Sequence, residues 1–324
     1  MKTPPQRQRG VALLVALLVV ALAVILIAAL LDRGELAFAR TRNALRSEQA
    51  DAYAQGLEIY AAQILREAQD EQRQPDTNHS PWALPLPPQP VPGGLMKATM
   101  RDLNGCFNLN NLATASTDYV NWRSIFNTLL KNLSIDPTLA LAVEAWVDPS
   151  VSDSAVSPSY YASLPVPYRP RGDLFAHVSE LRLVAGVTAE VYAKLAPQVC
   201  ALPPGTTINV NTASAVVLQS VTGVSAARAT ALWKNGQADF QSIPDLVQAE
   251  HIDDLSTTMF DVYSSYFLAR GDIVLDDVPF AFYSVIERRL GGVIHVLARS
   301  RGSDDTLTVA APIAASSHDD ATLD

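Results

Sequence analysis

The stretch RGVALLVALLVVALAVILIAALLDRGE, residues 9–35, holds 21 consecutive apolar residues from Val11 to Leu31, with no charge between Arg9 and Asp32. As a helix rising about 1.5 Å per residue it would cover roughly 31 Å, which matches the hydrocarbon core of a bilayer. Lys2, Arg7 and Arg9 precede it, whereas Asp32, Arg33 and Glu35 nearly cancel behind it. The positive-inside rule therefore leaves the N-terminus in the cytoplasm and carries the rest of the chain across the membrane. Three fates are open to such a segment. It is kept whole as a signal anchor, it is cut as a signal peptide at the small residues Ala21-Leu22-Ala23, or it is trimmed ahead of the apolar run, after Gly10, so that Val11 becomes the first residue. A cut at Ala23 would expose VILIAALL as a new N-terminus, a poor start for a soluble protein.

Beyond the span, the 324-residue chain is 48% hydrophobic and 18% charged, a composition that builds cored domains and is neither disordered nor fibrous. The formal charge of −9 would fall by three more if Lys2, Arg7 and Arg9 were lost with a leader. An acidic body disfavours non-specific binding to nucleic acid or to an anionic membrane surface. Helical spacing continues past the span through residues 32–72, where Tyr53, Leu57, Tyr60, Ile64 and Ala68 mark a stripe expected to face a core. Gly34 and Gly56 cost about 1 kcal/mol each against Ala and are positions where the helix can bend. Residues 73–94 hold seven prolines and read as an extended connector. Residues 95–112 read as a strand region. Residues 113–256 are mostly helical in pattern. Strands return over 257–311 as a meander punctuated by Asp276-Asp277 and Gly291-Gly292, and 312–324 forms an acidic tail expected to be disordered. A strand region before the helical block and its partners after it imply one antiparallel sheet packed on the long helix, with the block inserted between strands: an α+β architecture.

Within the block, Leu181…Gly186-Val187-Thr188-Ala189 recurs 37 residues later as Leu218…Gly223-Val224-Ser225-Ala226. In each copy Gly permits a tight turn and Thr188 or Ser225 can cap the next helix. The second copy resembles helix-hairpin-helix modules, which offer backbone N–H groups to phosphate, and a membrane-anchored DNA-binding protein is the rival function. Against it, Ser225 stands where such modules usually carry a second glycine. Arg228 and Lys234 are also outnumbered by Asp239, Asp245 and Glu250, so little counterion-release energy is available. Catalysis has no visible basis. His79, His177, His251, His295 and His318 are scattered without metal-ligand spacing, and no nucleophile elbow, zincin or P-loop pattern is present. No catalytic residue is assigned.

Four motifs carry a family resemblance: GCFNLNNL at 105–112, VEAWVD at 143–148, HVSELRLV at 177–184 and INVNTAS at 208–214, in that order behind the basic leader ending in Gly10. The leader is similar to that of type IV pilins and pseudopilins. The whole, through about Arg301, resembles the K-subunit minor pseudopilin of the bacterial type II secretion system. The resemblance implies a type IV pilin-like fold with a large inserted α-helical domain, a structural and non-enzymatic role, and a residence in the inner membrane with a periplasmic body. It also implies cleavage between Gly10 and Val11 by a prepilin peptidase, with N-methylation of Val11. Most of that family carries glutamate as the fifth mature residue, and here the position is Val15. A carboxylate in an apolar bundle needs a partner, and the implied partner is the amine of the subunit ahead, so a subunit without it belongs first in line. The partners implied are the I and J minor subunits, with H a further candidate, the major pseudopilin, and secretin or secreted proteins; nucleic acid is not among them. The family also binds calcium in an acidic loop after its W-x-D motif. Here that loop offers Asp148 and Asp153 as candidate Ca2+ ligands, with Ser150 and Ser157 alongside, a thin supply for an ion that takes six to eight oxygens. Cys106 and Cys200 are too far apart in sequence for a redox pair. With the body outside the cytoplasm they are expected to be bridged, two buried thiols being the alternative.

Overall fold

The computed structural model describes residues 9–70, 74–151, 157–250, 252, 257–289 and 291–302. The leader residues before Arg9, the candidate ligand Asp153 and the tail beyond Gly302 lie outside them. The first element, α1 (Arg9–Asp70), is 62 residues long and passes through both Gly34 and Gly56 without interruption. Two compact units divide within it, residues 1–55 and 56–324.

In the first unit, the residues from Val11 to Leu31 are exposed on every side of the helix, Leu14 to 69% and Leu18 to 70%. A helix apolar all round belongs in a bilayer or in the core of a bundle. It contains an 18-residue window of mean hydropathy 3.4, and it is the one unbroken helix among the described residues long and apolar enough to cross a membrane.

The second unit is built on a five-stranded antiparallel sheet ordered β1 (Leu86–Val91), β2 (Gly94–Asp102), β7 (Tyr266–Leu275), β8 (Val278–Arg288), β9 (Ile294–Arg301). Two strands precede the insert and three follow it. Residues 86–91 are therefore a strand, where the proline density reads as a connector. Proline is tolerated there because β1 is an edge, hydrogen-bonded only to β2, and Pro87 and Pro88 fall where the register slips between Leu86 and Gln89. The β7–β8 hairpin closes through Asp276 and Asp277 at φ 44° and 65°, the two positive values a tight primed turn requires. Gly94 is obligatory: a Cβ there would lie 1.7 Å from the carbonyl oxygen of Val274 on the neighbouring strand.

One face of the sheet carries the C-terminal part of α1. Ala61 and Leu65 pack with Trp82, Phe267 and Ile286, and Leu57 lies over Gly271. The buried stripe is thus Leu57, Ala61 and Leu65, so Leu57 falls as expected and Ile64 packs at the edge of the cluster, while Tyr60 is 46% exposed and Ala61 takes its place. The large rings come from the sheet side, as Trp82 edge-on to Phe267 at 5.1 Å, and the helix meets them with alanine and leucine. Glu58 anchors the same face, forked by Arg299 of β9 and accepting from Ser284 of β8 at 2.5 Å.

The insert between β2 and β7 holds its own core. Two-residue strands pair in parallel at each end, β3 (Phe107–Asn108) with β4 (Val199–Cys200), and β5 (Ile208–Asn209) with β6 (Phe260–Asp261). Helices α2 (Tyr119–Asn132), α3 (Leu139–Val147), α4 (Pro158–Ala162), α5 (Ala189–Leu195), α6 (Ala215–Thr222), α7 (Ala226–Trp233) and α8 (Ile243–Glu250) complete it. The core is aromatic: Phe107 stacks on Phe126 at 5.1 Å, and Trp146 stacks on Phe175. Each copy of the internal repeat ends in the expected cap, Thr188 accepting from the N–H of Val191 and Ser225 from that of Arg228. The first copy opens with a 3-10 turn, Val178–Leu183, in place of an α-helix.

Candidate functional site at the junction of sheet and insert

The chain that leaves β2 reads Asp102-Leu103-Asn104-Gly105-Cys106, and the chain that returns through β5 reads Asn209-Val210-Asn211-Thr212. Gly105 brings the two together, because a Cβ there would stand 2.6 Å from the carbonyl oxygen of Thr212. Asp102 is buried between them. Its carboxylate accepts from the backbone N–H of Asn104 at 2.7 Å, from the Ser264 hydroxyl at 2.6 Å and from the Thr212 hydroxyl. Asn209 donates to Ser264 Oγ at 2.8 Å and to the Asp76 carbonyl at 3.0 Å. Asp76 in turn accepts from Trp82 Nε1, from the Ser264 N–H and from the Arg288 guanidinium, which also donates to the Ser264 carbonyl at 2.7 Å. One polar network thus ties the residues after α1, the ends of β2 and β8, and the returning insert.

The remaining asparagines clasp backbone. Asn110 receives the Phe175 N–H at 2.7 Å and donates to the carbonyls of Phe175 and Leu202. Asn108 and Asn111 do the same for the 202–206 loop, and Asn211 for Phe240. Asparagine fits because its side-chain amide carries the donor and acceptor of a peptide group, and all six (104, 108, 110, 111, 209, 211) are almost fully buried. These residues were not assigned a site from sequence; their signal is the clustering of Asn in two short motifs, one at the start of the insert and one past its middle.

Burial pushes the Asp102 carboxyl up, from 3.8 to about 6, against the lowering hydrogen bonds of Ser264, Thr212 and Asn104. The sign is therefore the reverse of an ordinary ion-paired aspartate. Below about pH 4 the proton is held in folded and unfolded chains alike; as pH rises toward 6 the unfolded chain releases it first, so stability is lost with rising pH, by up to about 3 kcal/mol. Urea titrations across pH 4–7 should show this decline in the wild type and a flatter profile in Asp102→Asn.

Cys106 and Cys200 are joined in a disulfide with Cα atoms 5.8 Å apart. The bridge lies on the sheet face opposite α1, where Cys200 packs with Leu103, Leu202, Tyr266, Leu268 and Tyr283. It fastens the start of the insert to its middle over the outer face of the sheet.

Asp148 stands apart from this junction, at the end of α3. Its carboxylate accepts from the N–H and hydroxyl of Thr114 and from the N–H of Ser150 at 2.9 Å, and these bonds, Thr114 first, hold it down to about 2. Nearby on α3, wholly buried Glu144 pairs with Arg123 Nε at 3.0 Å and accepts from the Tyr119 hydroxyl. Among the described residues no group of three or more His, Cys, Asp or Glu side chains is placed to hold a metal ion. Those donors make a hydrogen-bonded cap on Asp148 at the end of α3. At the other end of the chain, Gly10, Val11 and Val15 lie in the first turns of α1.

The family model for protein K of the type II secretion system matches residues 105–204, which begin at Gly105 and take in both cysteines. The chain is 31% identical over 92% of its length to type II secretion system protein K of Aeromonas hydrophila, covering 98% of that protein. It is 32% identical to the Pseudomonas aeruginosa protein of the same description, over 91% of this chain and 93% of the other. Among solved structures it is similar to a chain of the GspK–GspI–GspJ complex from enterotoxigenic Escherichia coli, with a TM-score of 0.72 and 25% identity over 82% of this chain and all of that one.

Proposed function

We infer that this chain, which belongs to the protein K family of the type II secretion system and is a minor pseudopilin of that system, occupies the outermost position of its filament. The observation that carries this is Val15. The fifth residue after Gly10 brings no carboxylate to an apolar helix, so the subunit has nothing to pair with an amine above it, where an unpaired carboxylate would be costly. Val11–Leu31 anchors the chain in the inner membrane with its N-terminus cytoplasmic, and the disulfide between Cys106 and Cys200 suits a periplasmic body. Cleavage after Gly10 by a prepilin peptidase then frees Val11 for methylation. The relative solved with GspI and GspJ points to the I and J subunits as the neighbours below. Mass spectrometry of the membrane-extracted chain should find an N-terminus at methylated Val11. An intact Met1, or a cut beyond Ala23, would remove the pilin reading. Immunogold labelling should mark one end of each filament, and labels spread along the shaft would contradict the outermost position.

The DNA-binding alternative loses support at the end of α7, where Lys234 is engaged by Asp239 at 2.6 Å. For the loop after α3, we propose that Thr114 and Ser150, not calcium, hold Asp148. Chelation with EGTA should leave the melting temperature unchanged, and Thr114→Val should lower it by a few degrees, the effect of losing about 1 kcal/mol. A calcium-dependent rise in melting temperature that Asp148→Asn abolishes would instead give this loop an ion site.

A further inference from the structure

The dipeptide Asn-Gly occurs twice in the chain, at 104–105 and 235–236, and the fold treats the two in opposite ways. Asn104 is 2% exposed and uses both ends of its amide, donating to the Thr207 carbonyl at 2.9 Å and accepting from the N–H groups of Ser265 and Tyr266 at 3.1 and 2.9 Å. Gly105 behind it is pressed against the Thr212 carbonyl. Asn235 is exposed. It lies in the turn that ends α7, where Lys234, Asn235 and Gly236 stand at φ 49°, 57° and 79° in succession. Glycine and asparagine are the residues that accept such left-handed backbone most readily. The turn is not packed in from outside: apart from its chain neighbours, a Cβ on Gly236 would meet nothing nearer than 3.6 Å, the side-chain nitrogen of Asn78. That nitrogen donates to the Gly236 carbonyl at 3.0 Å, which ties the turn to the segment after α1.

We propose that Asn235–Gly236 is a site of spontaneous covalent modification, where the side-chain amide is lost and the main chain is rerouted through isoaspartate, while burial keeps Asn104–Gly105 intact. The backbone nitrogen of Gly236 gives up its proton to water and attacks Cγ of Asn235. An N–Cγ bond forms, the bond from Cγ to the side-chain nitrogen breaks, and that nitrogen leaves as ammonia, closing a five-membered succinimide. Water then opens the ring. Addition at the main-chain carbonyl leaves isoaspartate, and addition at Cγ leaves aspartate. No electrons change hands, and water is the co-reactant. Closure needs the Asn235 ψ to swing away from 38°, a motion open to an exposed turn whose next residue has no Cβ. It is barred to Asn104, whose amide and main chain are both bonded at the junction. Either product places a carboxylate beside Lys234, which already pairs with Asp239 at 2.6 Å. Isoaspartate also adds one carbon to the main chain, which draws the Gly236 carbonyl off Asn78. The proposal concerns one turn of the insert and stands whether or not the subunit is outermost.

The test ages the full chain in detergent in mildly alkaline buffer, folded and, in parallel, unfolded in urea with its disulfide reduced. Mass spectrometry follows the tryptic peptides that carry residues 104 and 235, and electron-transfer fragmentation tells isoaspartate from aspartate. In the folded chain the residue-235 peptide should gain one mass unit at least about tenfold faster than the residue-104 peptide, since a surface turn opens at little cost and the junction opens only near the cost of global unfolding. Isoaspartate should be the main product. In urea the two peptides should convert at similar rates. The Asn78 side-chain amide resonance should move as the wild type ages and stay fixed in Asn235→Gln, which cannot close a five-membered ring. Equal rates in the folded chain, a folded residue 235 that stays intact while the unfolded chain converts, or a product without isoaspartate would overturn the proposal. An Asn78 resonance unmoved in converted protein would overturn the loss of its bond to Gly236.

Discussion

Replacing Arg288 with methionine is expected to destabilise the 56–324 unit by about 3–5 kcal/mol, the usual cost of removing one partner from a buried ion pair. The side chains of Arg288 and Asp76 are 9% and 4% exposed. The substitution leaves the Asp76 carboxylate out of water with only Trp82 Nε1 and the Ser264 N–H as donors, and it removes the bond that fixes the Ser264 carbonyl. The loss extends to Phe267, whose ring centroid lies 4.9 Å from the Arg288 guanidinium carbon. Urea unfolding followed by tryptophan fluorescence should show a lower midpoint at unchanged slope, with Trp82 as a reporter inside the network. Arg299→Met is the control. That arginine forks Glu58 with good geometry, but its side chain is 64% exposed, so screening holds its contribution below about 1 kcal/mol. Comparable losses in the two variants would mean that the Asp76–Arg288 pair is not a buried charge pair in the working protein.

The contrast between these arginines shows what a sequence can and cannot carry. The span from Val11 to Leu31, the β7–β8–β9 meander and the placement of the insert between strands are legible because each rests on local periodicity or turn chemistry. Asp276-Asp277 marks its hairpin by residue type alone. β1 is hidden, since three prolines within Leu86–Val91 deny it any strand signature, and only its position at the sheet's edge explains why they are allowed. Within the stripe of α1, Ala61 takes the place of Tyr60 because which helical face is buried depends on the rings opposite, Trp82 and Phe267, which sit elsewhere in the chain. The junction is least legible of all. Asp76 and Arg288 are separated by 212 positions, and nothing about an Asp before Thr-Asn-His or an Arg at a strand's end announces a pairing across that distance. The motifs around Cys106 and Asn209 did stand out as a family mark, but the physical reason for them, amide side chains standing in for missing backbone partners, needs the folded loops to be seen.

The double variant Cys106→Ser, Cys200→Ser is expected to lose about 4–5 kcal/mol, from closing a loop of 94 residues in the chain-entropy account of disulfide stabilisation. The loss should not be spread evenly. Cys200 belongs to the small cluster of Leu103, Leu202, Tyr266, Leu268 and Tyr283, the patch where the insert rests on the outer face of the sheet. The main core of the insert, around Phe107, Trp122 and Phe126, is a separate cluster. Cutting the staple therefore weakens the attachment of the insert before it weakens the insert itself. Hydrogen exchange should accelerate first at Leu103 and Tyr266, whose backbones are bonded to one another at 2.9 Å, while α2 keeps its protection until global unfolding. The asparagine clasps limit how far this local opening goes, because Asn108 and Asn110 hold the 202–203 backbone independently of the sulfurs. Adding Asn110→Ala to the serine pair should then cost more than the two changes made separately, since each alone leaves the other fastening the same loop. Strict additivity, or exchange that rises uniformly across insert and sheet, would show that the disulfide stabilises the fold only through its unfolded chain and has no particular part in holding the insert to the sheet.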